Sequence, residues 1–304
     1  MSLRWSSVNL RIEFTQVSID GLVMARVKHG TVLITGSASG LGRALAREFA
    51  IRGAKHLVLV DRDKPNLDKT KELIEAKSLK TSSIETFVCD LSSKSELHEI
   101  FLNKIFSNSR SHGLDVLVNC AGITHIGSFE EMDLNDFEKV IAVNLLAAVR
   151  TTHICLTKLR KSKNPAIINV SSLAGLIGAP EMVAYSTSKF GLMGFTESLR
   201  TELDGKVHLL SVSPSLIKTA IAKNAAGVRQ KQIQKNRLDR ILNRFGTSPE
   251  KAAVLIVDAL EKQKTELIIN PDAHVMYALK RFLPSSCQAL VQLGFRRLKK
   301  SGVL

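Results

Sequence analysis

The sequence predicts an α/β fold in which a doubly wound, parallel sheet of seven strands is covered by helices on both faces. Seven short apolar runs alternate with longer helical stretches, which is the pattern of a parallel sheet with right-handed crossovers. Glycine, proline or polar residues also stand at or just after the ends of these runs, at the edge where such a sheet binds its ligand. These end positions are Gly36, Asp61, Asp90, Asn119, Ser172 and Pro214.

The predicted strands lie at about 31–35, 56–61, 84–89, 115–118, 165–171, 207–212 and 266–269. The predicted helices lie near 40–52, 65–78, 93–107, 134–161, 184–203 and 248–262. Of the 304 residues, 44% are hydrophobic, which is enough to bury a full core. We expect a single domain over residues 24–272. Residues 1–23 are expected to be a mobile extension or translated sequence upstream of the functional start.

A glycine-rich turn follows the first strand. Residues 31–42 read TVLITGSASGLG, and a helical run begins directly afterwards. Glycine allows the backbone to approach a pyrophosphate, and the N-terminus of the next helix faces its negative charge. The sequence therefore predicts a dinucleotide site, and the turn residues expected to bind the cofactor are Gly36, Ser37, Ser39, Gly40, Leu41 and Gly42.

An acidic residue ends the second strand. The apolar run HLVLV leads into Asp61, about 20 residues after the glycine turn, where a Rossmann unit places the acid that binds a ribose. Its carboxylate accepts hydrogen bonds from ribose hydroxyls and repels a 2′-phosphate, which predicts a preference for NAD(H). The guanidinium of Arg62 is able to bind that phosphate, so NADP(H) remains the alternative.

A second cluster carries the predicted chemistry. In YSTSK, Tyr185 and Lys189 are four residues apart, which puts them on one face of a helix. Just upstream, the strand PAIINVSS ends at Ser171 and Ser172. A phenol has a free pKa of about 10, and a nearby ammonium is expected to lower that pKa. A neighbouring hydroxyl can hold the substrate oxygen, so the cluster predicts general acid catalysis on a carbonyl.

These motifs resemble the short-chain dehydrogenase/reductase family over roughly residues 29–270. In particular, the chain is similar to members that act on hydroxysteroids, retinol or ketosphinganine and carry a C-terminal extension. The resemblance implies catalytic roles for Asn144, Ser172, Tyr185 and Lys189, with Ser172 and Tyr185 contacting the substrate. Ser172 is preferred to Ser171 because it stands 13 residues before Tyr185, which is the family's usual interval.

The resemblance also extends the cofactor site. Together with the residues named above, and with Tyr185 and Lys189, it implies contacts from Asp90, Leu91, Asn119, Ala121, Gly122, Pro214, Ile217 and Thr219. The chain departs from the family at Ser215, where a glycine usually follows Pro214. Serine adopts a positive φ less readily than glycine, so we expect a reshaped turn and a narrower site there.

The charge is strongly positive and unevenly distributed. The net charge is +15, with nine Lys and Arg against two acids in residues 218–251, and six Lys and Arg with no acid in residues 274–304. Such patches suit anionic membrane surfaces, acidic ligands or nucleic acid, or are simply solvated faces. Nucleic acid is not expected as a partner because few aromatic residues stand between the basic ones.

The C-terminal residues 273–304 are predicted to be a basic amphipathic extension. Val275, Met276, Leu279, Phe282 and Leu283 are expected on one side of a helix that ends at Pro284, opposite Tyr277, Lys280 and Arg281. This extension is expected either to dock on the domain or to lie on a membrane surface. Residues 216–246 are expected to form the substrate lid, in line with the family.

Several other properties of the sequence limit the possible functions. Cys89, Cys120, Cys155 and Cys287 have no metal-like spacing, the histidines form no close pairs, and no metal is expected. No spanning helix or signal peptide is predicted, so we expect a cytoplasmic protein, peripherally attached to membranes if the extension binds them. The family's habit implies a homodimer or homotetramer.

The leading hypothesis is an oxidoreductase that interconverts a secondary alcohol and its ketone on a hydrophobic, lipid-like substrate. The predicted apolar lid and basic extension favour such a substrate over a sugar. The alternatives are a non-catalytic NAD(P)-binding sensor and a membrane-associated interaction protein built on the same fold. A sensor would usually lack the tyrosine or the lysine, and this chain has both.

Overall fold

Seven parallel strands form one sheet in the order β3-β2-β1-β4-β5-β6-β7. The computed structural model describes residues 27–77, 81, 83–107, 113–219 and 246–300. The strands are β1 (Thr31–Thr35), β2 (His56–Asp61), β3 (Ser83–Val88), β4 (Val116–Asn119), β5 (Ala166–Val170), β6 (His208–Pro214) and β7 (Glu266–Ile269). The order reverses between β1 and β4, which places the expected ligand crevice above the carboxyl ends of these strands.

Helices cover both faces of the sheet. They are α1 (Gly40–Ile51), α2 (Lys64–Glu75), α3 (Lys94–His98), α4 (Leu134–Ile141), α5 (Ala147–Leu159), α6 (Val183–Leu203), α7 (Pro249–Glu261), α8 (Pro271–Phe282) and α9 (Pro284–Lys300). Where one continuous helix was predicted over 93–107, α3 passes into a π-helical segment, Glu99–Ile105. The predicted helix over 134–161 likewise contains a π-helical turn, Ala142–Leu146, between α4 and α5.

The central strands are buried on both faces. In β1, Val32 and Ile34 pack into one apolar core with α1 and α7, while Leu33 packs into a second core on the other face. The second core includes Phe101 from the π-helical segment after α3 and Leu159 from α5. A parallel strand covered on both faces consists of continuous apolar residues, which explains why the sequence located these strands closely.

The helix Leu134–Leu159, which includes Asn144, meets the length and composition criteria for a membrane span. The mean hydropathy of its most apolar stretch is 1.5, whereas no segment of this kind was predicted from the sequence. The helix packs against β4, β5 and α6, and buried Asn144 bonds within the domain. About 44% of its most apolar stretch is buried within the domain.

Helices α8 and α9 form a C-terminal hairpin, residues 271–300, that packs on the domain. Met276, Tyr277 and Leu279 contact the turn after β5, and Cys287 of α9 is buried in the same apolar cluster. The predicted apolar side of α8 is therefore only partly correct, because Phe282 is 79% exposed. Tyr277 and Lys280 face the domain instead, since their long apolar stems cover it while their polar ends reach partners.

Val275 and Leu283 were predicted on the same apolar side as Phe282. All three side chains are more than half exposed. The N-terminal extension 1–23, most of the lid 216–246 and the tip of the C-terminal extension lie outside the described residues.

Candidate active site

The glycine turn after β1 brings three segments into close contact. Gly36 has a φ of +72°, and a Cβ there would lie 2.7 Å from the Cα of Ala121 in the loop after β4. A Cβ on Gly42 would lie 2.0 Å from the carbonyl oxygen of Gly36. Only glycine fits at these two positions, so the turn lies directly against α1 and the loop after β4.

The N-terminus of α1 is open towards the cleft. Ser39 is its N-cap residue, yet its side chain makes no capping hydrogen bond, and no acid stands in the first turn. The first amide groups of a helix need acceptors, and a pyrophosphate provides them there. These residues therefore fit the phosphates of a dinucleotide. Ser37 is buried behind the turn, where its hydroxyl bonds the carbonyl oxygen of Val60 at 3.3 Å.

The carboxylate of Asp61 is held at the end of β2. Its two oxygens accept hydrogen bonds from the backbone N–H of Ala38 (3.0 Å) and of Asp63 (3.1 Å). The amide group of Asn66 donates hydrogen bonds to the carboxylate of Asp63 and lowers the pKa of Asp63. The positive charge of Arg62 acts in the same direction. This end of the cleft therefore presents fixed negative charge.

Asp90 lies after β3 on the same side of the cleft. Burial alone would raise the pKa of its carboxyl, but hydrogen bonds from the hydroxyl and backbone N–H of Ser92 hold that pKa below its usual value. The charge of Arg62 acts in the same direction. Arg62 is thus close enough to Asp63 and Asp90 for its positive charge to lower the pKa of both carboxyls.

The loop after β4 forms the floor of the cleft. The hydroxyl of Thr35 accepts hydrogen bonds from the backbone N–H of Cys120 (3.1 Å) and Ala121 (3.3 Å). Asn119, one residue earlier, does not line the cleft: its side-chain amide donates to Asn169 at 2.8 Å and to Thr152 at 3.1 Å. The amide of Asn119 therefore links β4 to β5 and α5 beneath the floor.

Asn144 also lies behind the cleft wall. Its side-chain carbonyl oxygen accepts from the N–H of Ile123 at 2.8 Å, and its amide nitrogen donates to the carbonyl oxygen of the same residue at 2.9 Å. The amide nitrogen donates further to the hydroxyl of Ser188 on α6, at 3.0 Å. Through these bonds Asn144 fixes the loop after β4 against the helix that carries Tyr185.

Ser172 and Tyr185 meet at the opposite end of the cleft. Burial raises the pKa of the Tyr185 phenol, and the nearby Ser172 hydroxyl lowers that pKa by less. Ser172 also accepts from the N–H of Ala174 at 3.1 Å. The hydroxyl of Ser171 instead donates to the backbone carbonyl oxygen of Lys189, at 3.1 Å. The structure thus puts Ser172, and not Ser171, at the phenol.

Lys189 lies one turn beyond Tyr185 and is buried. Its ammonium donates a hydrogen bond of 2.8 Å to the carbonyl oxygen of Val170, and lies 5.8 Å from the centroid of the Tyr185 ring. Burial lowers the pKa of Lys189 to about 8. The expectation that Lys189 lowers the pKa of the phenol differs from the structure, where burial raises it. Burial is the largest influence on the pKa of the phenol, which explains the difference.

The loop after β6 closes the cleft. Thr219 approaches the glycine turn so closely that a Cβ on Gly40 would lie 3.1 Å from its methyl carbon. Ser215 does not take a positive φ, so no backbone strain arises where the family usually has glycine, and the expected narrowing of the site stays a prediction. The hydroxyl of Ser215 donates to Asp272 at the start of α8, at 2.6 Å. Ser215 is thereby held by the C-terminal hairpin.

One cleft of about 340 Å³ connects these groups, and this volume is in the usual range of ligand sites. Of the predicted residues, its walls include Gly36, Ser39, Gly40, Leu41, Gly42, Asp61, Arg62, Asp90, Leu91, Ala121, Gly122, Ser172, Tyr185, Lys189, Pro214, Ile217 and Thr219. Ser37, Asn119 and Asn144 are not on the walls.

Sequence reasoning missed several wall residues. They are Ala38, Asp63, Cys89, Cys120, Ile123, Thr124, Val143, Val170, Ser171 and Ser215. Most adjoin a residue that was predicted, so the loop ends themselves were the available signal. Burial raises the pKa of the Cys120 thiol to about 12, which keeps it protonated at neutral pH. Within the described residues, no group of three or more His, Cys, Asp or Glu side chains is placed to hold a metal.

The fold and cleft together define a dinucleotide-dependent oxidoreductase. The family model described as short chain dehydrogenase matches residues 30–232. The chain is 33% identical over 276 residues to a Mycobacterium tuberculosis protein named as an oxidoreductase, SadH, covering 89% of this chain and 97% of that protein. It is 32% identical to the 3-oxoacyl-[acyl-carrier-protein] reductase FabG of Thermotoga maritima, covering 76% and 90%. The chain belongs to the short-chain dehydrogenase family.

Solved structures share the fold. A short-chain dehydrogenase/reductase from Burkholderia phymatum, in complex with NAD, superposes with a TM-score of 0.75 at 24% identity, covering 84% of this chain and 94% of that one. A short-chain dehydrogenase from Sphingobium yanoikuyae, in complex with NADPH, gives 0.67 at 23% identity, covering 90% and 95%. Similar folds therefore bind either dinucleotide.

Proposed function

We propose that this protein interconverts a secondary alcohol and its ketone with Tyr185 as the proton donor and acceptor. The observation that carries the proposal is that the Tyr185 phenol and the Ser172 hydroxyl interact with each other and both line one end of the dinucleotide cleft. Two hydroxyls that converge on one point of a cleft can hold and polarise a single substrate oxygen. A nicotinamide bound in the cleft supplies the hydride.

The protonation state of Tyr185 suits the reduction of a ketone. Because burial raises the pKa of the phenol, it carries its proton at neutral pH and can donate it to a carbonyl oxygen. Ser172 orients that oxygen with its own hydroxyl. Lys189, buried beside the ring, contributes positive charge below its pKa of about 8 and binds the ribose on the nicotinamide side. Asn144 positions the floor loop on which the substrate lies.

We propose NAD(H) as the preferred cofactor, with NADP(H) as the alternative. Asp61 is held in place by two backbone N–H groups, which presents its carboxylate to the ribose hydroxyls. A 2′-phosphate there would meet the negative charge of Asp61, Asp63 and Asp90. Among the described residues, Arg62 is the basic residue on this part of the wall, and the nearby carboxylates of Asp63 and Asp90 offset part of its charge.

The proposed substrate is hydrophobic, such as a steroid, a retinoid, a sphingoid base or an acyl chain. Apolar side chains from Ile123, Val143 and Ile217 line the cleft together with Tyr185. FabG, a relative over 76% of this chain, is named for its action on 3-oxoacyl groups, which fits a hydrophobic carbonyl. A sugar would require more hydrogen-bonding side chains than these positions provide.

A panel of hydrophobic alcohols and ketones, assayed with NAD(H) and NADP(H) by the nicotinamide absorbance, tests this function. We expect turnover of at least one lipid-like compound by the native chain and none by Tyr185→Phe. Cofactor binding without turnover of any panel compound would favour the non-catalytic sensor. The presence of Tyr185, Lys189, Ser172 and Asn144 in a single chain supports the enzyme.

We propose a cytoplasmic protein that forms a homodimer or homotetramer through the helices 134–159 and 183–203. Leu146, Val183 and Phe190 on these helices are more than one-third exposed, which suits an interface between copies. We retain residues 24–272 as the catalytic domain, with 1–23 and 273–304 as extensions.

A peripheral attachment to anionic membranes is proposed for the C-terminal hairpin. Phe282 and Leu283 are exposed at the turn between α8 and α9, and Leu290 of α9 is 52% exposed. Arg281 precedes them, and α9 ends in four further basic residues, with no acid between residues 273 and 300. Each basic side chain near an anionic surface contributes about 1 kcal/mol to binding.

A further inference from the structure

The C-terminal hairpin is bonded directly to the cleft wall. The hydroxyl of Ser215, which lines the cleft, donates a 2.6 Å hydrogen bond to a carboxylate oxygen of Asp272. Asp272 is the second residue of α8. Ser215 follows the last residue of β6, and Asp61 ends β2, so the two residues lie in different halves of the sheet. The half that contains β6 also carries Ser172 and Tyr185, so Ser215 lies at the reacting end of the cleft.

A second bond ties the same loop to the base of the hairpin. Thr247 donates from its hydroxyl to the side-chain oxygen of Asn270 at 3.1 Å, and Asn270 is the N-cap residue of α8. Thr247 also pairs with Ile217 as an isolated parallel bridge. The described segments on either side of residues 220–245 are therefore joined to each other and to the start of α8.

The hairpin is anchored on the opposite wall as well. The ammonium of Lys280 bonds the carbonyl oxygen of Leu176 and lies 4.4 Å from the centroid of the Phe190 ring. Leu176 is in the turn that follows Ser172, and Phe190 follows Lys189 on α6. Met276 and Tyr277 pack on the same turn. The hairpin thus contacts both the segments that carry the proposed proton donor and the loop after β6.

We propose that Asp272 is a positioning residue for the cleft: through the hydroxyl of Ser215 it fixes the loop whose residues Pro214, Ile217 and Thr219 enclose the nicotinamide end of the dinucleotide. This inference rests on the proposed function. A carboxylate that accepts from a hydroxyl forms a short, charge-assisted hydrogen bond, which limits the conformations of the serine and of the loop backbone. A loop fixed before binding loses less conformational entropy when the dinucleotide binds.

Fluorescence titration with NADH tests the inference without a known substrate. We expect Asp272→Ala and Ser215→Ala each to raise the Kd for NADH about threefold to tenfold, the range of one lost hydrogen bond at a partly exposed site. The double variant is expected to bind no more weakly than either single variant, since both remove the same bond. Asp272→Asn, which keeps an acceptor oxygen, is expected to bind NADH nearly as well as the native chain.

Glu250→Ala is the matched control. Glu250 follows Pro249 at the start of α7 just as Asp272 follows Pro271 at the start of α8. Both variants lose an acid from the first turn of a helix, but Glu250 has no contact with Ser215. An equal effect of Asp272→Ala and Glu250→Ala on the Kd for NADH, or additive effects of Asp272→Ala and Ser215→Ala, would overturn the positioning role of Asp272. Neither result would affect the proposed cofactor site. Failure of the native chain to bind NADH or NADPH would overturn the proposed cofactor site itself.

Discussion

The ammonium of Lys189 lies 2.8 Å from the carbonyl oxygen of Val170, the last residue of β5. This bond keeps a buried charge at the edge of the sheet, next to the ring of Tyr185. The carbonyl offsets only part of the cost of burial, because the pKa of Lys189 remains lowered to about 8. The protein therefore maintains, inside its cleft, a charge that weakens its own fold.

Lys189→Met is expected to stabilise the protein at neutral pH. Lys189 has a pKa of about 8 in the folded state against 10.5 in the unfolded state, so the unfolded chain binds more protons between these values and native stability rises with pH there. Below pH 8 Lys189 is protonated in both the folded and the unfolded state, so the full free-energy cost of burying its charge remains. Removing the Lys189 charge should raise the free energy of unfolding by about 1–3 kcal/mol at pH 7, and the loss of the bond to Val170 reduces this increase.

Urea unfolding at pH 7 and near pH 10 measures this effect. The advantage of Lys189→Met over the native chain should shrink at the higher pH. Lys206→Met, at an exposed lysine after α6, serves as the control and should change stability little at either pH. A Lys189→Met protein less stable than native at pH 7 would show that the bond to Val170 outweighs the cost of burial.

Asp61→Asn should shift the cofactor preference towards NADP(H). The amide keeps the shape of the carboxylate but removes the charge that repels a 2′-phosphate. We expect the ratio of kcat/KM for NADP(H) to that for NAD(H) to rise about tenfold or more. Asp68→Asn, which removes the same charge from α2 outside the cleft, should leave the ratio nearly unchanged. A native enzyme that already prefers NADP(H) tenfold would contradict the assignment of Asp61.

Gly36→Ala should damage both the fold and cofactor binding. The new Cβ would lie 2.7 Å from the backbone of Ala121, at a φ of +72° that disfavours alanine. A clash against backbone combined with this strain should cost about 2 kcal/mol or more. Gly178→Ala is the control, because no atom lies within 4 Å of its Cβ and its φ is not positive. Equal thermal midpoints and equal NADH affinities for the two variants would refute the tight turn.

The membrane proposal predicts that Phe282→Asp weakens binding to anionic vesicles and leaves the domain folded. Phe282 is 79% exposed, so the substitution removes apolar surface without opening the core. Ile51→Asp, at the end of α1, is the control because Ile51 is 54% exposed but belongs to another part of the surface. Co-sedimentation with phosphatidylserine vesicles at low salt provides the measurement. If native protein, control and Phe282→Asp all stay in the supernatant, the hairpin serves the cleft and not a membrane.

The sequence located the strands because their signal is local. Runs such as HLVLV, buried on both faces, leave no other interpretation once helices alternate with them. The orientation of Asn119 and Asn144 was not predictable in this way, since their amides turn towards partners on other strands and helices. The distinction between Ser171 and Ser172 likewise depends on which neighbour lies across the turn. Interval and resemblance favoured Ser172, and the structure agrees, because the Ser172 hydroxyl affects the pKa of the phenol while the Ser171 hydroxyl bonds the backbone of Lys189.

The C-terminal hairpin shows a different limit. An apolar stripe on α8 was predicted from side-chain type, yet Tyr277 and Lys280 face the domain while Phe282 faces away. Amphipathic side chains cover apolar surface with their stems and satisfy carbonyls with their ends, so polarity alone does not assign their face. The contact between Ser215 and Asp272 joins residues 57 positions apart, and no local pattern indicates it.

Turnover by Tyr185→Phe, measured beside its affinity for NADH, tests the central claim most directly. The ring keeps its packing, but the oxygen that passes the proton is lost, so kcat on a ketone of the panel should fall about 100-fold or more while the Kd for NADH stays within a factor of about two. A variant that keeps more than about a tenth of the native kcat, with the same rate-limiting step, would show that another group donates the proton.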